Sequence, residues 1–90
     1  MWRTRDVEIC NKRGLHARAA AKFVNLAGSF DADVLVSKDE NKVSGTSIMG
    51  LMMLAASTGS KIDIAASGQD AELALSALCK LVENKFDEDC

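Results

Sequence analysis

The chain contains no proline and no tyrosine, one histidine, one tryptophan and three cysteines in 90 residues. Without proline, internal repeats or low-complexity tracts, it has no linker at which it could be divided. Ninety residues suffice for one domain around one core and are too few for two, so residues 1–90 read as a single domain. Cys10, Cys79 and Cys90 are odd in number and far apart, which fits neither a disulfide framework nor paired metal ligands. A zinc site needs four ligands, and a lone histidine with remote thiols does not supply them, so no metal or cofactor is expected. A reduced, cytoplasmic setting follows from the same cysteine usage. No apolar run nears the ~20 residues of a membrane span. The opening Met1-Trp2-Arg3-Thr4-Arg5-Asp6 lacks the apolar stretch of a signal peptide. The net charge is -2 and the eleven basic residues are scattered, which argues against nucleic acid as the main partner.

What is present divides cleanly into elements. Asp6-Val7-Glu8-Ile9-Cys10 alternates like a strand with one buried face, and Asn11-Lys12-Arg13-Gly14 breaks it. Residues 17–27 place Ala20, Phe23, Val24 and Ala27 on one helical face, with Gly28 positioned to end the helix. Asp33-Val34-Leu35-Val36-Ser37 reads as a buried strand, followed by a turn at residues 38–41 and a short strand at Lys42-Val43-Ser44. A short helix covers residues 47–54 and a fourth strand Lys61–Ala66. The last helix has Asp70 as its expected N-cap and an apolar stripe of Ala71, Ala74, Leu75, Leu78, Leu81, Val82 and Phe86. The order is βαββαβα, an α+β pattern whose three helices are too few to cover both faces of the sheet. Packing all three on one face is the economical arrangement.

The only histidine lies where a glycine-broken strand turns into an alanine-rich helix, in Gly14-Leu15-His16-Ala17-Arg18-Ala19-Ala20-Ala21. With the helix starting at Ala17, His16 is its N-cap, and the first N–H groups have no carbonyl partner within the helix. Those donors and the positive end of the macrodipole suit an anion. Arg18 adds a forked guanidinium that matches phosphate oxygens. A neutral imidazole is a nucleophile at cytosolic pH, so the constellation points to a phosphoryl acceptor.

This stretch resembles the active-site signature of the HPr family, the histidine-containing phosphocarriers of bacterial phosphoenolpyruvate-dependent phosphotransferase systems. Thr46-Ser47-Ile48-Met49-Gly50-Leu51-Met52 is similar to the family's serine-containing helix start, at a matching separation, and the resemblance spans about residues 5–85. It implies an open-faced sandwich whose four-stranded antiparallel sheet has the order 1-4-2-3. It also implies that His16 accepts the phosphoryl group through Nδ1 and that Arg18 stabilises it. One departure is Ala19, where most members carry proline. Either residue is tolerated in a first helical turn, but alanine weakens assignment to the sugar-transport branch.

The second helix is apolar at nearly every place, and a short helix on a sheet cannot bury all sides. Leu51 and Leu54 are expected in the core. Ile48, Met49 and Met52, with Leu15 and Ala17 beside the histidine, are read as a surface for partner proteins. Ser47 caps the helix, and the resemblance implies that a dedicated serine kinase/phosphorylase acts on it in some bacteria. Arg3, Arg5, Lys12, Arg13 and Arg18 could steer an acidic partner. Two lookalikes fail. Gly45-Thr46-Ser47-Ile48-Met49 lacks the closing glycine of a nucleophile elbow. Gly45 to Gly50 leads into Leu51-Met52, without the Lys-Ser or Lys-Thr of a nucleotide-binding loop.

The expected function is therefore that of a monomeric carrier, itself not an enzyme. It would take a phosphoryl group on His16 from phosphorylated enzyme I and pass it to an enzyme IIA-type protein, with regulation through Ser47. An alternative is a regulatory interaction module of the same fold, in nitrogen-branch signalling, whose phosphorylation state controls partner binding. A small ligand-binding α+β domain is a third reading, supported by topology alone.

Overall fold

The computed structural model describes residues 1–88; Asp89 and Cys90, and with them the end of the expected 1–90 domain, lie outside the described residues. The chain runs β1 (Arg3–Glu8), α1 (Ala17–Ala27), β2 (Asp33–Lys38), β3 (Asn41–Ser44), α2 (Ile48–Met53), β4 (Lys61–Ser67) and α3 (Ala71–Glu83). A short turn at Lys85–Asp87 follows. The four strands form one antiparallel sheet in the order β1-β4-β2-β3. Alternation along the strands sends Val7, Val34, Val36, Ile62, Ile64 and Ala66 into the core. They meet Ala20 and Phe23 of α1, Leu51 of α2, and Leu75, Leu78 and Val82 of α3. The opposite face carries the cross-strand pair Asp6↔Asp63.

Three expectations are corrected in detail. The first strand occupies Arg3–Glu8 and not residues 6–10. Ile9 leaves the ladder to bond the loop before β4, through Ile9 N–H to Ser60 O at 2.8 Å and Gly59 N–H to Ile9 O at 2.7 Å. Asp70 does occupy the N-cap position of α3, but its carboxylate bonds no amide of that helix. Its Oδ2 instead accepts the Asp31 N–H at 2.9 Å and ties α3 to the loop before β2. Phe86 is fully buried, as its place in the apolar stripe suggests, but α3 has ended and the ring arrives from a left-handed turn.

Candidate functional site

The histidine is placed by backbone packing between two loops. Gly14 has φ +68°, and a Cβ there would lie 2.6 Å from Ala56 O and 2.9 Å from Ser57 Cα. Only glycine permits both that conformation and that approach. The next amide, Leu15 N–H, donates to Ala56 O at 2.9 Å. Thr58 Oγ1 donates to Asn11 O, and the Leu15 side chain is buried with 5% exposure. Leu15 therefore anchors the loop from inside the core and presents no side chain to a partner, which corrects its assignment to the docking surface.

His16 then caps α1 from an extended backbone (φ -83°, ψ -178°), its carbonyl accepting the Ala20 N–H at 2.8 Å. Its ring bends back so that Nδ1 accepts the Arg18 N–H at 3.2 Å. The amides of Ala17 and Ala19 also belong to the first turn, where no intrahelical acceptor exists. Ala17 and Arg18 are exposed, and among the described residues the Arg18 guanidinium makes no ion pair. A nucleophilic nitrogen and first-turn amides thus lie together at one helix end, and the exposed Arg18 side chain rises from the same turn. Ala19 is fully buried in that turn, so its methyl packs inward where the family's ring would sit.

Glu88, which contacts the histidine, and Asn11, which holds Glu88, had no signature in the sequence. Nε2 of His16 faces Glu88 Oε2 in a short contact. Glu88 Oε1 accepts Asn11 Nδ2–H at 2.9 Å, and the same amide nitrogen donates to Gly14 O at 2.8 Å. Asn11 is completely buried, and its two donor contacts fix the amide orientation, leaving Oδ1 without a partner among the described residues. Burial alone would raise the Glu88 carboxyl. The hydrogen bond from Asn11, then the hydrogen bond and charge of His16 and the charge of Arg13, overcome it and hold the group below the usual carboxylate range. Asn11 lies in a segment that reads as a plain strand breaker, and Glu88 follows the last helix, so neither stands out by spacing.

On α2, which packs against α1, Ser47 is the N-cap and its Oγ accepts the Gly50 N–H at 3.0 Å. Leu51 and Leu54 are buried, while Ile48, Met49, Met52 and Met53 are exposed, Met49 to 71%. No cluster of three or more potential metal ligands occurs among the described residues. Cys10 and Cys79 are free thiols, and burial pushes the Cys79 thiol up. Cys90 is outside the described residues.

Residues 3–84 match the family described as "PTS HPr component phosphorylation site". The chain belongs to the PTS HPr family. Its relatives in this HPr family are phosphocarriers. Phosphocarrier protein NPr of Shewanella violacea is 51% identical over 84 residues, covering 93% of this chain and 92% of that protein. Phosphocarrier protein HPr of Cupriavidus necator is 48% identical over 84 residues, covering 93% and 94%. The crystal structure of HPr-C-His from Thermoanaerobacter tengcongensis superposes with a TM-score of 0.93 at 45% identity, covering 98% of this chain and 99% of that one. The sheet order is the one the resemblance implied, the three helices are those the sequence pattern predicted, and the family to which the chain belongs is one of phosphocarriers.

Proposed function

We propose that His16 accepts a phosphoryl group at Nδ1 from phosphorylated enzyme I and delivers it to an enzyme IIA-type protein in the cytoplasm, the carrier acting as a monomer. The observation that carries the reading is the contact between Nδ1 and the Arg18 amide at 3.2 Å. It aims the attacking nitrogen at the helix end where the arriving anion would be received. During transfer the Arg18 N–H would exchange the ring nitrogen for a phosphoryl oxygen, and the guanidinium would close on the group from the exposed side. Such transfer depends on positioning and charge stabilisation more than on acid–base chemistry. Ile48, Met49, Met52 and Ala17 supply the face on which both partners dock in turn, methionines adapting to each.

Ser47 is the regulatory site of this reading. A phosphoryl group there adds about -1.5 to -2 charge beside Ile48 and Met49 and would weaken docking with little refolding. The sequence relationship to a protein named NPr favours a second reading, in which the same His16 chemistry serves nitrogen-branch regulation.

Incubation with phosphoenolpyruvate and enzyme I should yield one acid-labile, base-stable phosphoryl group, mapped to His16 by mass spectrometry and absent in His16→Ala. An unmodified His16 in the complete relay would refute the acceptor role. Label that enters but passes to no enzyme IIA-type protein would support the regulatory reading instead.

A further inference from the structure

Beyond the residues that match the family, the chain folds back onto the histidine. Lys85, Phe86 and Asp87 all have positive φ, of 59°, 54° and 61°. They form a left-handed turn closed by Asp87 N–H to Asn84 O and Glu88 N–H to Lys85 O, both at 3.0 Å. Non-glycine residues avoid this region, so three in succession need outside support. Phe86 supplies it with a fully buried ring, and Lys22 Nζ donates to Phe86 O at 2.8 Å. The turn delivers Glu88 to the imidazole. The side chains of His16 and Glu88 are only 17% and 14% exposed, which sets the contact apart from a solvated surface pair. With Oε1 held by a fully buried asparagine, the carboxylate is gripped from both sides.

We propose that Glu88 is a positioning residue for phosphoryl transfer, holding the imidazole with its proton on Nε2 and its lone pair on Nδ1, and meeting the positive charge the ring acquires. The inference rests on the reading of Nδ1 as the acceptor atom. An ionised carboxylate has no proton to give, so Nε2 must carry the hydrogen; a backbone N–H can only donate, so Nδ1 must present its lone pair. Both neighbours of the ring therefore select one tautomer. In transfer, that lone pair forms the Nδ1–P bond while the bond from phosphorus to the donor's nitrogen breaks and its electron pair stays with the donor. Nε2 keeps its proton throughout, so the ring becomes cationic as the phosphoryl group joins it. A carboxylate on the far nitrogen stabilises an imidazolium where it forms, as in other histidine–carboxylate pairs.

Because His16 is the only histidine, imidazole NMR reports it without ambiguity. The full-length wild type should show an unprotonated Nδ1 and an Nε2–H resonance protected from solvent exchange, and Glu88→Ala should lose that protection. Phosphorylation by enzyme I and phosphoenolpyruvate should slow about tenfold in both Glu88→Ala and Glu88→Gln, the latter keeping an acceptor but no charge. Glu88→Asp should recover part of the rate. An unaltered Nε2–H signal in Glu88→Ala, or a wild-type rate in Glu88→Gln, would overturn the proposal. So would faster phosphorylation, which would make the contact a cover that has to open. If the wild type itself takes no phosphoryl group, the acceptor reading fails, and the Nε2–H measurement still decides whether Glu88 holds the ring.

Discussion

Replacing Gly14 by alanine tests whether the site is placed by the approach of two backbones. The residue sits at φ +68°, where an L side chain costs ~1 kcal/mol or more relative to glycine. The added methyl would lie 2.6 Å from Ala56 O and 2.9 Å from Ser57 Cα, both main-chain atoms that cannot rotate away. Relieving the overlap means separating the loops, and the first bond to stretch is Leu15 N–H to Ala56 O, now 2.9 Å. A buried hydrogen bond of this kind contributes ~1 kcal/mol net. Together with residual strain, the expected loss is ~2–4 kcal/mol, a large share of the ~5–10 kcal/mol available to a domain of this size. Urea unfolding followed by circular dichroism would read the loss as a lower midpoint at unchanged slope. His16 is two residues away, so phosphorylation by enzyme I should fall as well, even at temperatures where the variant is fully folded. A loss under ~0.5 kcal/mol, the range of ordinary surface substitutions, would refute the reasoning, as would a fully active variant with the full stability loss.

Phe86→Ala removes a fully buried ring and should cost ~3–4 kcal/mol in denaturant unfolding. It should also release Glu88 from His16, visible as loss of the protected Nε2–H signal. On the open sheet face, the hydrogen bond with Asp6, then burial and the Asp6 charge, raise the Asp63 carboxyl above its usual value. An acid with a raised folded-state value binds more protons folded than unfolded, so the pair lowers stability as pH rises through that range. Asp63→Asn should therefore stabilise by ~0.5 kcal/mol at neutral pH, the size of an exposed cross-strand like-charge pair. The gain should shrink as pH falls through the unfolded-state value of ~3.9 and vanish about one unit below it, where the carboxyl is protonated in both states; a gain that persisted in acid would exclude the electrostatic origin. Met49→Asp replaces a side chain that is 71% exposed. It should leave the unfolding midpoint within ~0.5 kcal/mol of wild type while raising the apparent KM for the carrier in enzyme I assays.

The parts of this molecule that could be read from sequence are those whose cause is local. Helix α1 spans Ala17–Ala27 as the pattern predicts, because a capping histidine, an alanine-rich run and Gly28 all act within one or two turns. Leu51 and Leu54 fall inside and Ile48, Met49 and Met52 outside because a short helix on a sheet has one inner face. Leu15 reads as accessible from its place beside the histidine, yet the Gly14–Ala56 approach, which involves residues 42 apart in the chain, turns it inward. The strand order came from family resemblance, since several topologies satisfy the same alternation. Least legible is the closing turn. It carries no glycine at its three positive-φ positions, so nothing in Lys85-Phe86-Asp87 announces a reversal, and Phe86 continues the helical stripe in register. The reversal is enforced from outside by the core and by Lys22.

That turn also bears on how tightly such a site should hold its cargo. A carrier must release what it accepts, so an anion site with several buried cations would trap the group. Here the favourable contacts are an exposed guanidinium and the amides of one helix start, each contributing at most ~1 kcal/mol near water. Together they favour the bound phosphoryl group by about a factor of ten to thirty, which a partner can readily supply in reverse. Glu88 adjusts the balance further. Its negative charge favours the cationic ring on which the group is carried and opposes the phosphoryl dianion beside it. The histidine is thus primed for attack, while retention of the group afterwards stays weak.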